Sequence, residues 1–316
     1  MKIAASAESF LDWDYAPAHP RIQHLFDMAR KSRWDEMQDI DWSRHEAVPS
    51  ELSAFGRVAF ERSSLARYGE QMWRRFRSEQ QAWMVSQFLH GEQSALVVSA
   101  RLAEVLPDPA AKGYAASQAV EEARHLAVFT RYATERAQNC YPVSESFEQL
   151  VGQIVRDTRW DIQVLGMHVM IESLALAAFR LAAMTFEDAL IRQITQLTAR
   201  DEARHVSFGI MLLKNIYGRM SAAELRERED FVIESAGLLS QRYLLTELWE
   251  RLGVDIVEGT EFSRTNEMMR AYRCTIFTKV VRALKQVGLF SPRVAHALDR
   301  LGLLGVADLQ RCLPER

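Results

Sequence analysis

Hydrophobic positions recur every three to four residues over long stretches of this chain, and alternation at a period of two is almost absent. From residue 51 onward the pattern predicts a helix over roughly 51–72 and another over roughly 76–105, which "PDP" ends. There Asp108 can cap, and Pro109 can open, a third helix over roughly 109–138. The break "NCYPVS" leads to a short helix at 144–156 and then to a long one over roughly 158–184. "TFED" follows, with Thr185 facing Asp188 at capping-box spacing, and opens a helix from 186 to about 217. Residues 221–311 read as three or four more helices, interrupted near "GVDIVEGT" and "GLFSPR". The stretch before about residue 50 holds Pro17, Pro20 and Pro49 and little periodicity, so partly extended chain wrapped on a core is expected there. The expected fold class is all-α, a single domain: 1–50 as wrap, 51–217 as helical core and 218–316 as additional helices.

Composition agrees with helices, since Gly (14) and Pro (8) are scarce in 316 residues. A net charge of -3, with both signs spread along the chain, gives no electrostatic case for nucleic acid. The basic run "WRRFRSEQQ" reads as a solvated helix face. Cys140, Cys274 and Cys312 are odd in number and far apart, which argues for a reducing compartment and against a disulfide scaffold or thiolate metal site. No signal peptide is visible and no window approaches 18 uncharged apolar residues, so neither export nor a membrane span is expected. A cytoplasmic protein is the resulting expectation.

The candidate chemistry lies in a phrase written twice, "EEARH" at 121–125 and "DEARH" at 201–205. Glu122 and His125 are three residues apart, as are Glu202 and His205, so each pair shares a helix face and can bind one ion. Glu121 and Asp201 lie four residues before their histidines, on a neighbouring track where a carboxylate can accept an imidazole's second N–H. Arg124 and Arg204 can hold such carboxylates. A two-metal site needs two further carboxylates from two other helices. Glu92 precedes Glu122 by 30 residues, Glu172 precedes Glu202 by the same 30, and every element recurs after 80. Both added glutamates sit in apolar surroundings, where an unpaired charge would be costly and a metal would neutralise it. The expected assignment is one metal on Glu92, Glu122 and His125 and the other on Glu172, Glu202 and His205, with Glu122 and Glu202 bridging. Oxygen and nitrogen ligands without sulfur suit iron or manganese, and the ligands alone leave zinc open. An acid–arginine network between helices, without metal, is the structural alternative.

On these motifs the chain resembles the ferritin-like di-iron carboxylate superfamily. "EEARH" and "DEARH" are similar to the paired motifs of acyl-carrier-protein desaturases and multicomponent monooxygenase hydroxylases. "RWDEMQDIDWS" at 33–43 and "HGEQ" around Glu92 resemble ribonucleotide reductase small subunits and their ligand-binding oxidase relatives. The resemblance covers roughly 33–217. It implies a four-helix bundle core, two iron ions (or a manganese–iron pair), dioxygen as co-substrate and an external electron donor such as a reductase or ferredoxin. A homodimer is a further expectation. Several family features are missing. Phe129 stands where the reductase subunits carry their radical tyrosine, and no CxxC pair supports a rubrerythrin. The arylamine N-oxygenases of the superfamily carry an additional histidine four residues before the second motif's glutamate; here that residue is Thr198. By analogy with the reductase subunits, Trp34 would relay an electron towards Asp201 and His205; the plainer reading is a buried structural tryptophan.

His168, one turn before Glu172, faces the metals as a ligand or hydrogen-bond partner, or else is a satisfied core histidine. Met84, Phe88, Leu96, Phe129, Val164, Met167, His168 and Leu176 lie a turn or two from the ligands and are the candidate pocket lining. Their apolar character points to a small hydrophobic or aromatic substrate. The reading that follows is an oxygenase that hydroxylates, N-oxygenates or desaturates such a molecule. Iron handling without an organic substrate, and ligand binding by a silent site, are the alternatives from other classes.

Overall fold

The computed structural model describes residues 2–13, 20–44, 46–48, 51–137 and 139–305; Pro17, Pro49 and Cys312 lie outside them. The first predicted helix pair is divided elsewhere than expected. Helix α2 is Glu51–Glu61, a 3-10 turn Ser64–Tyr68 follows, and α3 then runs unbroken from Gly69 to Val105. The break falls there because the Ser63 hydroxyl accepts from Leu65 N and Gly69, at φ 75°, takes the left-handed turn that L side chains resist. The N-terminal region is also more ordered than its prolines suggested. Pro20 opens helix α1, Pro20–Lys31, which buries Ile22, Leu25 and Ala29 at helical spacing against α4 and α8.

Helix α4, Pro109–Tyr132, begins as read, with the Asp108 carboxylate accepting from Ala111 N, and ends in a π-helical turn Ala133–Ala137. Helix α5 is Glu145–Arg156. The long apolar helix has three parts: α6 (Trp160–Val164), a π-helical segment Leu165–Glu172, and α7 (Ser173–Thr185). Helix α8 is Ala189–Tyr217, and its cap is Asp188 alone, accepting from Leu190 N and Ile191 N, rather than a box built on Thr185. Beyond it come α9 (Ala222–Arg242), α10 (Thr246–Leu252), α11 (Ile256–Thr265), α12 (Glu267–Val287) and α13 (Pro292–Arg300), one more than the largest number expected. No β-strand occurs among the described residues; Ala47 and Asp188 form an isolated bridge.

The bundle consists of α3 packed on α4, α7 on α8, and α8 against both α4 and the π-helical segment. One expectation needs correcting. Trp160–Thr185 is long and apolar enough to cross a membrane, yet 94% of its most apolar window is buried inside the protein. It is apolar on all sides because helices surround it, the usual cause in a bundle interior. The C-terminal helices cover the bundle: α12 lies on α7 and α8, α9 on α5 and the π-helical segment, and α10 on α3. Fully buried side chains such as Leu102, Leu165, Phe179 and Phe208 join these layers, each contributing about 1.5–3 kcal/mol.

Candidate metal centre

The six carboxylate and imidazole side chains singled out in the sequence meet in the bundle interior, all buried. They form two overlapping groups, Glu92–Glu122–His125–Glu202 and Glu122–Glu172–Glu202–His205, and within each group one candidate ligand atom per residue lies within 4.8 Å of the others. Glu122 and Glu202 belong to both groups. Helix periodicity explains the convergence: each glutamate–histidine pair is one turn of α4 or α8, while Glu92 on α3 and Glu172 at the end of the π-helical segment face them.

The Nδ1 atoms of both histidines face inward. His125 Nδ1 is 3.1 Å from Glu92 and 3.2 Å from Glu122, and His205 Nδ1 is 3.0 Å from Glu122. Their Nε2 atoms face outward, onto the acids of the repeated phrase, but the pairing is crossed. Asp201 receives His125 Nε2 at 3.1 Å and Glu121 receives His205 Nε2 at 2.7 Å. The same-helix pairing suggested by the four-residue spacing therefore gives way to one across the α4–α8 interface. Side chains lean toward the N-terminus of their own helix, so the acid one turn before each histidine meets the facing helix. The arginines tie the crossing together: Arg124 donates to Asp201 at 3.0 Å, and Arg204 donates to both Glu121 and Asp201 at 2.7 Å. Trp34 joins them, donating to Asp201 at 2.7 Å and stacking on His125 with centroids 6.0 Å apart. Its contacts run to His125 rather than His205.

Burial sets the electrostatics. It pushes the Glu92 and Glu172 carboxyls well above the ordinary range. Burial also acts to raise Glu122, but the His205 charge and bonds from both imidazoles overcome it and hold Glu122 well below that range. Burial opposes protonation of His125 and His205, yet the surrounding carboxylates raise both well above the usual imidazole range. Glu92, Glu172 and the two imidazoles thus favour their protonated forms, protons standing in this dry interior where cations would. Glu172 Oε2, Glu202 Oε2 and His205 Nδ1 are buried without an aligned hydrogen-bond partner. Oxygen and nitrogen donors, unpartnered acceptor atoms and concentrated negative charge fit two divalent ions of the iron or manganese type.

His168 lies outside both ligand groups. It is fully buried, 3.9 Å from Glu172 Oε2, and burial pushes its ring down to about 3. Its contact with the centre runs through Gln118, a residue the sequence reading passed over. Gln118 Oε1 is 3.1 Å from His168 Nε2, while Gln118 Nε2 donates to Glu172 at 2.9 Å and Glu122 at 3.1 Å. The signal was available: Gln118 is one turn before Glu122, on its face.

A cavity adjoins the centre, with Glu92, Glu172 and Glu202 in one wall. Trp83, Met84, Phe88, Leu174 and Phe179 make its apolar sides, and Gln87, Arg242, Tyr243 and Tyr272 are its polar residues away from the acids. Of the expected lining, Met84 and Phe88 are present, and Phe129 packs behind Phe88 with centroids 5.5 Å apart. Leu96, Val164, Met167, His168 and Leu176 do not line it; Val164, Met167, His168 and Leu176 are buried in the packing, and Leu96 is half-buried outside the core. No periodicity pointed to Arg242, Tyr243 or Tyr272, because they arrive from α9 and α12. A second, more open cavity shares Met84 and Tyr272 with the first and leads outward past Gln80 to Phe55.

A family model, P-aminobenzoate N-oxygenase AurF, matches residues 18–288. No curated protein matches the chain.

Proposed function

Because the chain belongs to the p-aminobenzoate N-oxygenase family, di-iron enzymes that use dioxygen on an aromatic substrate, we propose that it oxidises the nitrogen of an aromatic amine bearing an acidic group. One observation carries the acidic group: Arg242. It is buried in the cavity wall, and burial lowers its proton affinity, an effect that Tyr243, Tyr272 and Glu247 oppose without overcoming; no carboxylate among the described residues lies within ion-pair distance of it. Its Nε donates to Gln87 Oε1 at 2.6 Å and its Nη2 to the Gln87 carbonyl at 2.9 Å. Since guanidinium only donates, Gln87 Oε1 must face it, which leaves Gln87 Nε2 as a buried donor without a partner. Arginine and amide together form a patch of donors, the complement of a carboxylate. Gln87 precedes Glu92 by five residues, about 7.5 Å along α3, comparable with the span of a benzene ring and two para substituents.

In this reading Glu92, Glu122 and His125 would hold one iron and Glu172, Glu202 and His205 the other, Glu122 and Glu202 belonging to both groups. The pair of irons supplies dioxygen reduction, which no side chain of the chain can perform. Asp201 and Glu121 fix the ring orientation of the two ligand histidines through Nε2–H. The apolar walls exclude water, and Arg242 sets the ring so that its amine end meets the metals. Transfer of one oxygen atom to nitrogen takes two of dioxygen's four electrons from the amine; an external reductant supplies the other two. Thr198 stands where the superfamily's N-oxygenases carry an additional histidine, so the ligand set here is the six residues named.

The test compares 4-aminobenzoate with aniline in the iron-loaded protein supplied with reductant. N-oxygenated product from the acid is expected, and Arg242→Leu should raise KM for the acid about 10–100-fold, as for a lost hydrogen bond to a charged group, while sparing aniline. Equal losses for both amines would overturn the role of Arg242. Absence of N-oxygenated product from any aromatic amine, with stoichiometric iron oxidation only, would favour iron handling instead.

A further inference from the structure

The two halves of the centre leave their 80-residue register at three positions that face one another. In the first half Phe88 packs on Phe129, with ring centroids 5.5 Å apart. Their counterparts are His168 and Gly209. Gly209 is what seats the imidazole, since a Cβ there would stand 2.3 Å from His168 Cβ. The third position is Gln118, whose counterpart Thr198 is buried with an unpartnered hydroxyl. His168 and Gln118 therefore meet at 3.1 Å, and Phe88 and Thr198 have no equivalent bond to make.

Donor and acceptor types fix the direction of the contact. Carboxylates that bind a metal are ionised and accept only, so the Gln118 amide nitrogen must face Glu172 and Glu122, and its oxygen must face His168. His168 Nε2 is then the protonated nitrogen and donates to Gln118. The imidazole thus stops the amide from flipping, and the amide grips Glu172 by Oε1. The other oxygen, Oε2, is left buried and without a hydrogen-bond partner. Glu122 depends less on this grip, because it belongs to both ligand groups and either metal would hold it.

We propose that Gln118, oriented by His168, is a positioning residue for one metal of the two: by holding Glu172 through Oε1 it presents Oε2 alone to the position completed by His205. The inference rests on the two-metal reading of the cluster. It makes the two positions unequal in a protein whose ligand residues repeat identically. The position completed by His125 has no such amide: the contact of its terminal carboxylate, Glu92, is with His125 Nδ1 at 3.1 Å, an atom that a metal would take over.

Anaerobic titration of the full chain with cobalt(II), followed by its visible d–d absorption and by bound-metal analysis, tests this. The wild-type protein should take up about two ions, the number the ligand set accommodates. In Gln118→Leu and His168→Phe one ion should bind as before, while the other weakens about 10–100-fold, the usual cost of losing a ligand's hydrogen-bond partner. His168→Gln keeps an N–H near the Nε2 position and should restore both. Wild-type binding of both ions by Gln118→Leu and His168→Phe, or equal weakening of both ions, would overturn the proposal. Circular dichroism melting curves of wild-type shape exclude misfolding as the cause of any loss. A wild-type chain that takes up no cobalt would overturn the two-metal reading along with it.

Discussion

The half of the centre built from α3 and α4 and the half built from the π-helical segment and α8 carry the same ligand glutamates, histidines and arginines in one register, with Glu121 answered by Asp201. They differ in what stands beside them. The first half presents Phe88 and Phe129, and Phe88 forms part of the apolar cavity wall. The second presents His168 and Gly209, and the imidazole reaches Gln118 across the bundle. Repetition of the ligand set makes a pair of metals. Departure from repetition puts Phe88 in the cavity wall at one position and a polar clamp, His168 with Gln118, at its counterpart.

The most disruptive way to break the comparison is to remove a shared carboxylate. Glu122→Ala and Glu202→Ala should each abolish binding of both irons and all turnover, because each residue belongs to both ligand groups. Retention of one iron in either variant, by metal analysis, would show that the halves load independently. The crossed acids sharpen the comparison next. Asp201→Ala removes the acceptor of His125 Nε2, so the metal on the first half should weaken by about 10–100-fold although the mutation lies on the second. Mössbauer spectra of the iron-loaded protein resolve the two environments; a change confined to the His205 side would contradict the crossing.

Acidity acts on both halves alike. Burial raises Glu92 and Glu172, so each holds a proton at a pH where an exposed glutamate has lost it, and a metal must expel that proton. Affinity should therefore fall with falling pH, by about tenfold per unit for each proton displaced, in metal titrations across the acid range. The metal-free protein should show the opposite slope above about 6.5, the ordinary histidine value. His125 and His205 are raised, so their contribution to stability is present below 6.5 and is lost as pH climbs through the folded values. Thermal melts with and without metal distinguish the two slopes. The smallest effect belongs to Thr198→Val, which removes a buried hydroxyl without a partner and should stabilise the chain by about 1 kcal/mol without changing metal content.

The all-α class and the six converging side chains were legible because both depend on spacing along a helix, which sequence states directly. What spacing cannot state is which helix a side chain meets. The four-residue interval tied Asp201 to His205, whereas the interface between α4 and α8 ties it to His125. Arg242 and Tyr272 were out of reach for the same reason, since they approach the centre from helices that show no repeat. The helix break after α2 went unread because a single serine–glycine turn, not a loss of periodicity, makes it. The apolar run of Trp160–Thr185 was underrated because Glu172, a charge in the sequence, lies among the candidate metal ligands in the fold.

The crossed acids have a further consequence, for modularity. Each histidine takes its orienting carboxylate from the opposite half, and one arginine, Arg204, grips the acids of both. Neither half is a portable cassette. A fragment carrying one copy of the phrase would hold an imidazole free to turn and an acid with nothing to orient. Grafting one copy onto another bundle would transfer the ligands and leave their tautomers unset. The unit of inheritance, and of design, is the interlocked pair.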